Sequence, residues 1–364
     1  MNGKDYGRMR KIKYAVVGLG RMGRGHIDEI NAVAKDKFEL VAVCDNAPDR
    51  LENLPASWGT DYKKYSSLDE LLKDDNVEMV NIATRHLDHV PMGIKVLEAG
   101  KIALVEKPVA CNVVEMKKLL DCGDAHPGKL YVRHNRRFEP EFTKVKELMN
   151  SGIIGEVHYI KIHRSCYFCR RNDWMTMPEF YGGLLSNWGP HIIDHGLQLL
   201  DSPVVDLWAD VRRVISIGEG DDLFKIILKG ANGRLVDVEV TGANAMPGRE
   251  VEIIGTRGVI VQEAGKRIHV RAVEPSIEYK DLKPHPENPP FQYGNFDERL
   301  SFFDADYDPA FTSMSDTWKH IYASVVDGVP YPIKKEEMME IVRVTEEAFR
   351  KSGFAPMQQF LSKE

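Results

Sequence analysis

Short apolar runs alternate with amphipathic segments through the first third of the chain. The runs Ile12–Val17 and Phe38–Cys44 are almost continuously apolar, which is typical of strands buried on both faces of a sheet. The segments between such runs have helical spacing, and Ser67 with Glu70 three residues later forms a capping-box pattern. The pattern predicts a doubly wound α/β domain with a parallel sheet. Its strands are expected at 12–17, 38–44, 78–83, 101–106 and 129–134. A polar helix after Asp45, a short segment at 61–65, a helix opened by Ser67 and helices at 87–99 and 112–122 are expected between them.

Beyond about residue 135 the alternation gives way to a succession of strands. Tight-turn sequences such as Ala231-Asn232-Gly233 separate neighbouring strands, which is typical of antiparallel pairing. The stretch 274–309 is rich in proline, acids and aromatics, and it is expected to be a long surface loop. We therefore predict two domains, residues 1–134 and residues 135–364, the second of the α+β class. Its strands are expected at 156–165, 204–215, 223–229, 234–241, 250–255 and 258–263, with helices at 188–200, 313–327 and 334–352.

A glycine-rich turn, Gly18-x-Gly20-x-x-Gly23, joins the first predicted strand to the first predicted helix. Gly18 permits a tight turn, Gly20 lets the backbone approach a pyrophosphate, and Gly23 lets the helix pack closely on the strand. The free amides that begin the helix, at Arg21 and Met22, favour a bound anion. A strand, these glycines and a helix in register predict a Rossmann-type dinucleotide-binding domain.

An acidic residue, Asp45, directly follows the second predicted strand. A carboxylate at this place accepts hydrogen bonds from the adenosine ribose hydroxyls and repels a 2′-phosphate. Arg21 and Arg50 are nearby positive charges that would favour such a phosphate. On balance the sequence predicts NAD as the cofactor and disfavours NADP.

Composition narrows the class of partner. The chain of 364 residues is long enough for two domains, and its formal net charge of −6 provides no basic surface for nucleic acid or an anionic membrane. It has no apolar run of bilayer length and no apolar segment typical of a signal peptide before the first strand. Five cysteines, an odd number, favour a reducing compartment. We therefore expect a cytoplasmic protein with neither nucleic-acid nor membrane partners.

Two further groups of residues indicate chemistry. Glu106-Lys107-Pro108 follows a predicted strand at the carboxyl edge of the parallel sheet, where ligands of doubly wound folds bind. A lysine there can donate to a substrate hydroxyl and favour the loss of its proton. His191 and Asp194 lie three residues apart on the predicted helix 188–200. An imidazole and a carboxylate are therefore expected to project together into the cleft between the domains.

Several motifs occur in one order along nearly the whole chain from about residue 11. They are the glycine turn with His26, Ala83-Thr84 followed by His89, Glu98-Ala99-Gly100-Lys101, Glu106-Lys107-Pro108, Arg137-Phe138 with Pro140, and Gly189-x-His191-x-x-Asp194. In order and spacing they resemble the glucose-fructose oxidoreductase, inositol dehydrogenase and rhizopine-catabolism family (Gfo/Idh/MocA).

That resemblance implies a Rossmann domain followed by a C-terminal domain with a large, mostly antiparallel open sheet, which often forms a homodimer or homotetramer interface. It also implies hydride exchange between a nicotinamide cofactor and a carbon of a sugar or polyol. Lys107 would be the lysine of the active site and His191 the acid/base residue. The implied cofactor positions are Gly18, Gly20, Arg21, Met22, Gly23, Asp45, Thr84, His89, Glu106 and Lys107.

The chain departs from the family pattern near the expected site. Asn187 stands four residues before His191, where the family usually has an aspartate. This change removes a charge that would raise the pKa of the imidazole. Asp194 is therefore a second catalytic candidate, which would orient His191. The other departures are Arg85, His86 and Tyr181, in place of a proline, an asparagine and a glycine.

Residues just before the predicted helix are candidates for substrate binding. Arg170 and Trp174 fall on a predicted loop, and a guanidinium with an indole face suits a hydroxyl-rich or anionic ligand. Asn187 is a third candidate for a substrate contact. Arg137 is expected instead to be the ion-pair partner of an acidic residue.

No metal site is predicted from the sequence. Cys166 and Cys169 form a Cys-x-x-Cys pair, but no second pair completes a zinc site. His191 and His195 have the spacing of a zinc helix, yet Ile192 occupies the position of the glutamate that such a helix requires. Buried, unreactive thiols are the expected state of the cysteine pair.

Together these residues predict an NAD-dependent oxidoreductase acting on a sugar, polyol or sugar-derived acid. Two alternatives stay open. One is an NAD-dependent glycosidase that oxidises a sugar transiently and eliminates an aglycone. The other is a non-catalytic NAD-binding sensor, which would need neither Lys107 nor His191.

Overall fold

The computed structural model of the protein describes residues 10–166, 170–246, 248–283, 298 and 300–363. Its first sheet is formed by β1 (Ile12–Val17), β2 (Phe38–Cys44), β3 (Lys63–Tyr65), β4 (Met79–Ile82), β5 (Ile102–Glu106) and β6 (Leu130–Arg133). The helices of this part are α1 (Arg21–Val33), α2 (Pro48–Glu52), α3 (Leu68–Leu71), α4 (His89–Glu98) and α5 (Val113–Ala125).

All six strands of this sheet are parallel, in the order β3-β2-β1-β4-β5-β6. The predicted doubly wound sheet is therefore confirmed, and its order reverses between β1 and β4, where such folds bind dinucleotides. Local rules act as expected: every residue of β4 and β5 is buried, and the Ser67 hydroxyl accepts the Glu70 amide at 3.3 Å to cap α3.

The second sheet is large and mostly antiparallel, as predicted. Its strands are β7 (Val157–Ser165), β8 (Val204–Arg212), β9 (Leu223–Gly230), β10 (Leu235–Thr241), β11 (Arg249–Gly255), β12 (Gly258–Glu263), β13 (Ile268–Val273) and β14 (Phe302–Tyr307). Their order is β14-β13-β12-β11-β7-β10-β9-β8, in which β7 and β10 form a parallel pair. The remaining helices are α6 (Pro140–Asn150), α7 (Leu184–Asn187), α8 (Gly189–Leu200), α9 (Asp316–Asp327) and α10 (Lys335–Ser352).

One face of this sheet is covered by helices. Ile192 and Ile193 of α8 belong to the same buried cluster as Val236 and Val238 of β10. A Cβ on Gly196 would lie 3.2 Å from Val238 Cγ2, so α8 lies close to the sheet. This packing fixes the position of α8 on the sheet, and it thereby fixes the position of His191, which α8 carries.

Two strands and two helices of the second part of the chain were not predicted, among them the short helix α7. Strands β13 and β14 were missed, and β14 lies within the expected loop 274–309, of which 284–297 and 299 lie outside the described residues. In β14 every second residue is exposed, so burial contributes little to the stability of this strand. Pairs with the neighbouring strand hold it instead, such as Arg271 with Asp304 at 2.7 Å. Helix α6 was also missed, although Phe142, Val145 and Met149 have helical spacing and are buried.

The C-terminal helices join the two sheets. Trp318 and Ile321 of α9 are fully buried in the cluster that contains Ile12 of β1. Helix α10 contributes Val342 to the core of the first sheet and Phe349 to that of the second. Within the described residues, no helix combines the length and the apolar character needed to cross a bilayer.

Candidate functional site

The glycine turn between β1 and α1 has one open side. Gly18 has a φ of 89°, and a Cβ there would lie 2.6 Å from the carbonyl oxygen of Ala83. A Cβ on Gly23 would lie 1.9 Å from the carbonyl oxygen of Gly18, so the helix packs directly on the turn. A Cβ on Gly20 would meet nothing within 4 Å. This open side is where a ligand can approach the backbone.

The first turn of α1 suits the pyrophosphate of a dinucleotide. Gly20 is its N-cap residue and makes no side-chain capping bond, so the amides at Arg21 and Met22 keep donor capacity for a ligand. Both of these residues are exposed. Free amides at the start of a helix, beside a glycine with open space around it, can bind an anion.

Asp45 is fixed beside this turn at the end of β2. Its Oδ2 accepts the amide of Leu19 at 2.7 Å, and its Oδ1 accepts the amide of Ala47 at 2.9 Å. The half-exposed guanidinium of Arg50 lies 3.2 Å from Oδ2. The carboxylate is therefore held in place by two backbone donors.

Glu106 anchors the end of β5 in a buried polar network. Its Oε1 accepts from His26 Nε2 at 2.8 Å and from Arg133 Nη1 at 3.2 Å, and Arg133 also contacts Glu29 at 2.5 Å. Burial opposes ionisation of Glu106, but His26 and Arg133 outweigh it and hold its pKa well below the usual range. The residue that precedes Lys107 is thus a fixed anion.

Lys107 reaches from the first sheet to the second part of the chain. Its Nζ donates to the backbone oxygen and to the Oδ1 of Asn187, both at 2.8 Å. Burial lowers the pKa of Lys107 to about 8; Glu106 opposes this shift, whereas Arg136 and Arg21 add to it. Lys107 is therefore a cation that can lose its charge near neutral pH.

His191 lies in the first turn of α8 and is buried. Burial, followed by the positive charges of Lys107 and Arg136, holds the pKa of His191 well below its ordinary value. Its Nδ1 is buried without a hydrogen-bond partner in the described part of the chain. The imidazole is therefore neutral at physiological pH, the form that accepts a proton.

Asp194 forms a buried ion pair with Arg137. Its Oδ2 accepts from Arg137 Nε at 2.7 Å, and its Oδ1 accepts from Arg137 Nη2. Burial opposes ionisation of Asp194, but Arg137 outweighs it and lowers its pKa. His191 and Asp194 were expected to project together, and the hydrogen bonds that the structure gives the Asp194 carboxylate are those from the guanidinium fork of Arg137. Arg137 is the ion-pair partner that the sequence predicted.

Asn187 contacts Lys107 rather than His191 in the hydrogen bonds of the structure. A second pair of predicted cofactor residues lies nearby: His89 Nδ1 donates to the carbonyl oxygen of Pro108 at 2.7 Å, and the Thr84 hydroxyl lies 3.7 Å from Met92 Sδ. The His89 bond ties the start of α4 to the strand end that carries Lys107.

His86 is a site residue that the sequence did not assign. Its Nδ1 donates to the carbonyl oxygen of Tyr181 at 2.9 Å, and its ring lies 4.9 Å from that of Trp174. Burial lowers the pKa of His86 to about 3, so the ring stays neutral. Its departure from the family pattern was the available signal. Through its ring contact, His86 joins the predicted substrate residue Trp174 to the loop that carries Thr84.

Two other candidates lie apart from this group. Arg170 is exposed and donates to the carbonyl oxygen of Ile215 at 3.3 Å. Cys169 lies outside the described residues, and Cys166 is only partly buried.

A second residue was missed at the site: the guanidinium of Arg136 lies 4.6 Å from the ring centroid of Trp188, beside the carboxyl end of α7. Among the described residues, no group of three potential ligands could hold a metal ion.

Comparison with known families gives two matches that together cover most of the chain. The model of an oxidoreductase family with an NAD-binding Rossmann fold (GFO/IDH/MocA) matches residues 12–134. The model of the GFO/IDH/MocA C-terminal domain matches residues 142–261.

Individual relatives agree with this result. An uncharacterized oxidoreductase of Schizosaccharomyces pombe is 32% identical over 258 residues, which cover 69% of this chain and 70% of the relative. Myo-inositol 2-dehydrogenase of Thermotoga maritima is 26% identical over 255 residues, covering 68% and 74% of the two chains. The crystal structure of an NAD-binding protein from Listeria innocua superposes with a TM-score of 0.77 over 94% of this chain and 95% of its own. At 24% identity, that likeness shows the fold alone.

Proposed function

Because the chain belongs to the GFO/IDH/MocA oxidoreductase family, we propose that it is an NAD-dependent dehydrogenase that oxidises a CH–OH group of a sugar, polyol or sugar-derived acid. The observation that carries this proposal is the combination of an ammonium group, Lys107, with a neutral buried imidazole, His191. Relatives named as inositol dehydrogenases support a polyol or a related substrate.

The N-terminal residues would hold the cofactor. The open backbone at Gly20 and the amides that begin α1 would bind the pyrophosphate, and Asp45 would accept the ribose hydroxyls. NAD supplies a hydride acceptor at its nicotinamide ring. We infer a preference for NAD because Asp45 keeps its carboxylate beside the turn through two backbone donors.

Lys107 and His191 would divide the proton chemistry. An ammonium group has three N–H donors, and two of those on Lys107 are used by Asn187. The third is available to a substrate oxygen and would stabilise it as its proton leaves. The neutral His191 would take that proton on a ring nitrogen. Asp194 has a supporting role in this scheme, since Arg137 occupies its carboxylate.

A panel of sugars, polyols and sugar acids tests the proposal. Each compound is incubated with protein and NAD, and NADH absorbance is followed together with product analysis for a released aglycone. The proposal expects NADH formation from at least one compound with a CH–OH group. Aglycone release without net NADH would indicate the glycosidase alternative. NAD binding without any turnover would indicate the sensor.

The oligomeric state and the cellular compartment of the protein are further parts of this proposal. Trp208 and Val205 of β8 are 53% and 60% exposed, and large exposed apolar residues are common at interfaces between subunits. We expect a homodimer or homotetramer through the second sheet, which light scattering measures. The odd number of cysteines in the sequence, five, favours a reducing compartment, for which we propose the cytoplasm.

A further inference from the structure

A buried carboxyl group holds the start of α7. The amide of Leu185 donates to Asp221 Oδ2 at 2.7 Å, and the amide of Leu184 donates to the Asp221 backbone oxygen at 2.8 Å. Asp221 is only 3% exposed. It forms no ion pair with any described residue, and its Oδ1 has no hydrogen-bond partner among them. Asp221 thus accepts the first two amides of α7, that of Leu185 at its carboxyl group and that of Leu184 at its backbone oxygen.

Glycines hold this carboxyl group in one place. Gly183 has a φ of 143°, and a Cβ there would lie 2.1 Å from Asp221 Oδ1. A Cβ on Gly218 would lie 2.1 Å from the carbonyl oxygen of Thr176. The amide of Gly220 also donates to that oxygen at 2.8 Å. The segment before Asp221 is therefore fitted against the loop before α7 without room for side chains.

Helix α7, whose start Asp221 holds, ends at the residue that contacts Lys107. Helix α7 is one turn long and finishes at Asn187, whose two oxygens accept from Lys107 Nζ. Helix α8 begins two residues later and carries His191. A shift at the first amide of so short a helix would be felt at Asn187, because too few hydrogen bonds lie between them to absorb it.

We propose that Asp221 is a positioning residue of this site: it fixes the start of α7, and through Asn187 it fixes Lys107. This inference rests on the proposed function for the role of Lys107. Asp221 touches no reacting atom in this scheme. Its effect on turnover passes through the geometry of α7.

The ionisation of Asp221 supports a role in the site rather than in folding. Burial raises its pKa from 3.8 to about 7; the amides of Leu185 and Leu184 oppose this shift, and Asp222 adds to it. Tyr181, which burial keeps neutral, is a further titratable group that interacts with Asp221. A carboxyl pKa higher in the folded than in the unfolded state means that folding favours the protonated form. The carboxylate therefore lowers stability above about pH 7, and this penalty disappears as the pH falls towards 4.

Hydrogen exchange at the amides of α7 tests the inference without any substrate. Exchange is measured by mass spectrometry at pH 6 and pH 8, with rates corrected for the intrinsic effect of pH. An amide bonded to a charged acceptor is held more tightly than one bonded to a neutral acceptor. Protection at residues 184–187 of the wild type should therefore fall about fivefold from pH 8 to pH 6. In Asp221→Asn it should be lower at pH 8 and independent of pH.

The neighbouring acid provides a matched control. The carboxylate of Asp222 accepts the amides of Val214 and Ile215, at 2.5 and 2.8 Å, rather than an amide of α7. Asp222→Asn should therefore leave the exchange of residues 184–187 unchanged at pH 8. Because it removes a charge that raises the pKa of Asp221, it should move their pH dependence to lower pH. The rate at which acetic anhydride modifies Lys107 should rise in Asp221→Asn and not in Asp222→Asn, since a loosened Asn187 releases Nζ.

Turnover then separates this inference from the proposed function. On a substrate identified by the panel, kcat of the wild type should fall below pH 7, and Asp221→Asn should lack this dependence while its Kd for NAD is unchanged. Equal exchange at residues 184–187 in the wild type and Asp221→Asn, or equal effects of both substitutions, would overturn the inference. The expected exchange and acetylation without any NADH would uphold the position of α7 and contradict the proposed function.

Discussion

At the scale of single residues, two glycines of the same turn have opposite requirements. A Cβ on Gly23 would lie 1.9 Å from a backbone oxygen, whereas a Cβ on Gly20 would lie in open space. Gly23→Ala should therefore unfold at lower denaturant concentration than the wild type. Gly20→Ala should keep its stability within about 1 kcal/mol and lose NAD affinity, because its methyl group occupies the side from which the pyrophosphate approaches. Denaturant unfolding and calorimetry with NAD measure both effects. Unchanged affinity in Gly20→Ala would place the cofactor elsewhere.

The pairing of Asn187 with Lys107 predicts how the pH profile responds to a new charge. Asn187→Asp places a carboxylate 2.8 Å from Lys107 Nζ, where the amide oxygen now lies. An opposite charge at this distance raises the pKa of an ammonium group. If charged Lys107 is required, the loss of kcat at high pH, expected near the Lys107 pKa of about 8, should move to higher pH. A limb that stays in place would show that Lys107 is not the group that titrates.

Residue patterns predicted the cofactor turn because its determinants are local. Gly18, Gly20 and Gly23 lie close together in the sequence, and Gly23 packs directly against Gly18. The contact between Lys107 and Asn187 joins two parts of the chain that pattern reading treats separately. The preference of Asp194 for Arg137 over His191 also depends on tertiary packing. Spacing along a helix shows which side chains share a face, but it does not show which partner each one finds.

At the scale of elements, the loop before α7 meets the loop after β4. Trp174 contacts the ring of His86, and His86 is bonded to Tyr181. If this indole face binds substrate, Trp174→Ala should raise the substrate KM by about three- to tenfold, the usual scale of an aromatic contact. Arg170→Ala is the control and should have little effect, because that side chain is exposed and bonded to Ile215. Equal effects of the two substitutions would contradict a specific role for Trp174.

Of the elements that were not predicted, strand β14 escaped prediction for a physical reason, whereas helix α6 did not. Strand β14 is an exposed edge strand whose charged residues pair with those of β13, and such a strand lacks the buried alternation on which prediction depends. Helix α6 does have an amphipathic pattern, with Pro140 in its first turn. Its sequence contained the information needed to predict it.

At the scale of the whole molecule, the C-terminal helices complete the N-terminal core. Trp318 of α9 is fully buried and packs edge-on against His26 and Phe38. Trp318→Ala should lower the free energy of unfolding by about 3 to 5 kcal/mol, measured by denaturant unfolding. Phe311→Ala, at a fully exposed position, should change it by no more than about 0.5 kcal/mol. Similar values for the two variants would mean that α9 does not support the first sheet.

The central claim is that Lys107 and His191 carry the proton chemistry of an NAD-dependent dehydrogenase. The most direct test measures kcat for Lys107→Met and His191→Asn on a substrate found by the panel, with Kd for NAD determined by calorimetry on the same preparations. We predict that each variant binds NAD as the wild type does and loses at least about two orders of magnitude in kcat, the scale of a positioned proton-transfer group. Turnover near that of the wild type in either variant would contradict the claim, as would a loss explained by weaker NAD binding.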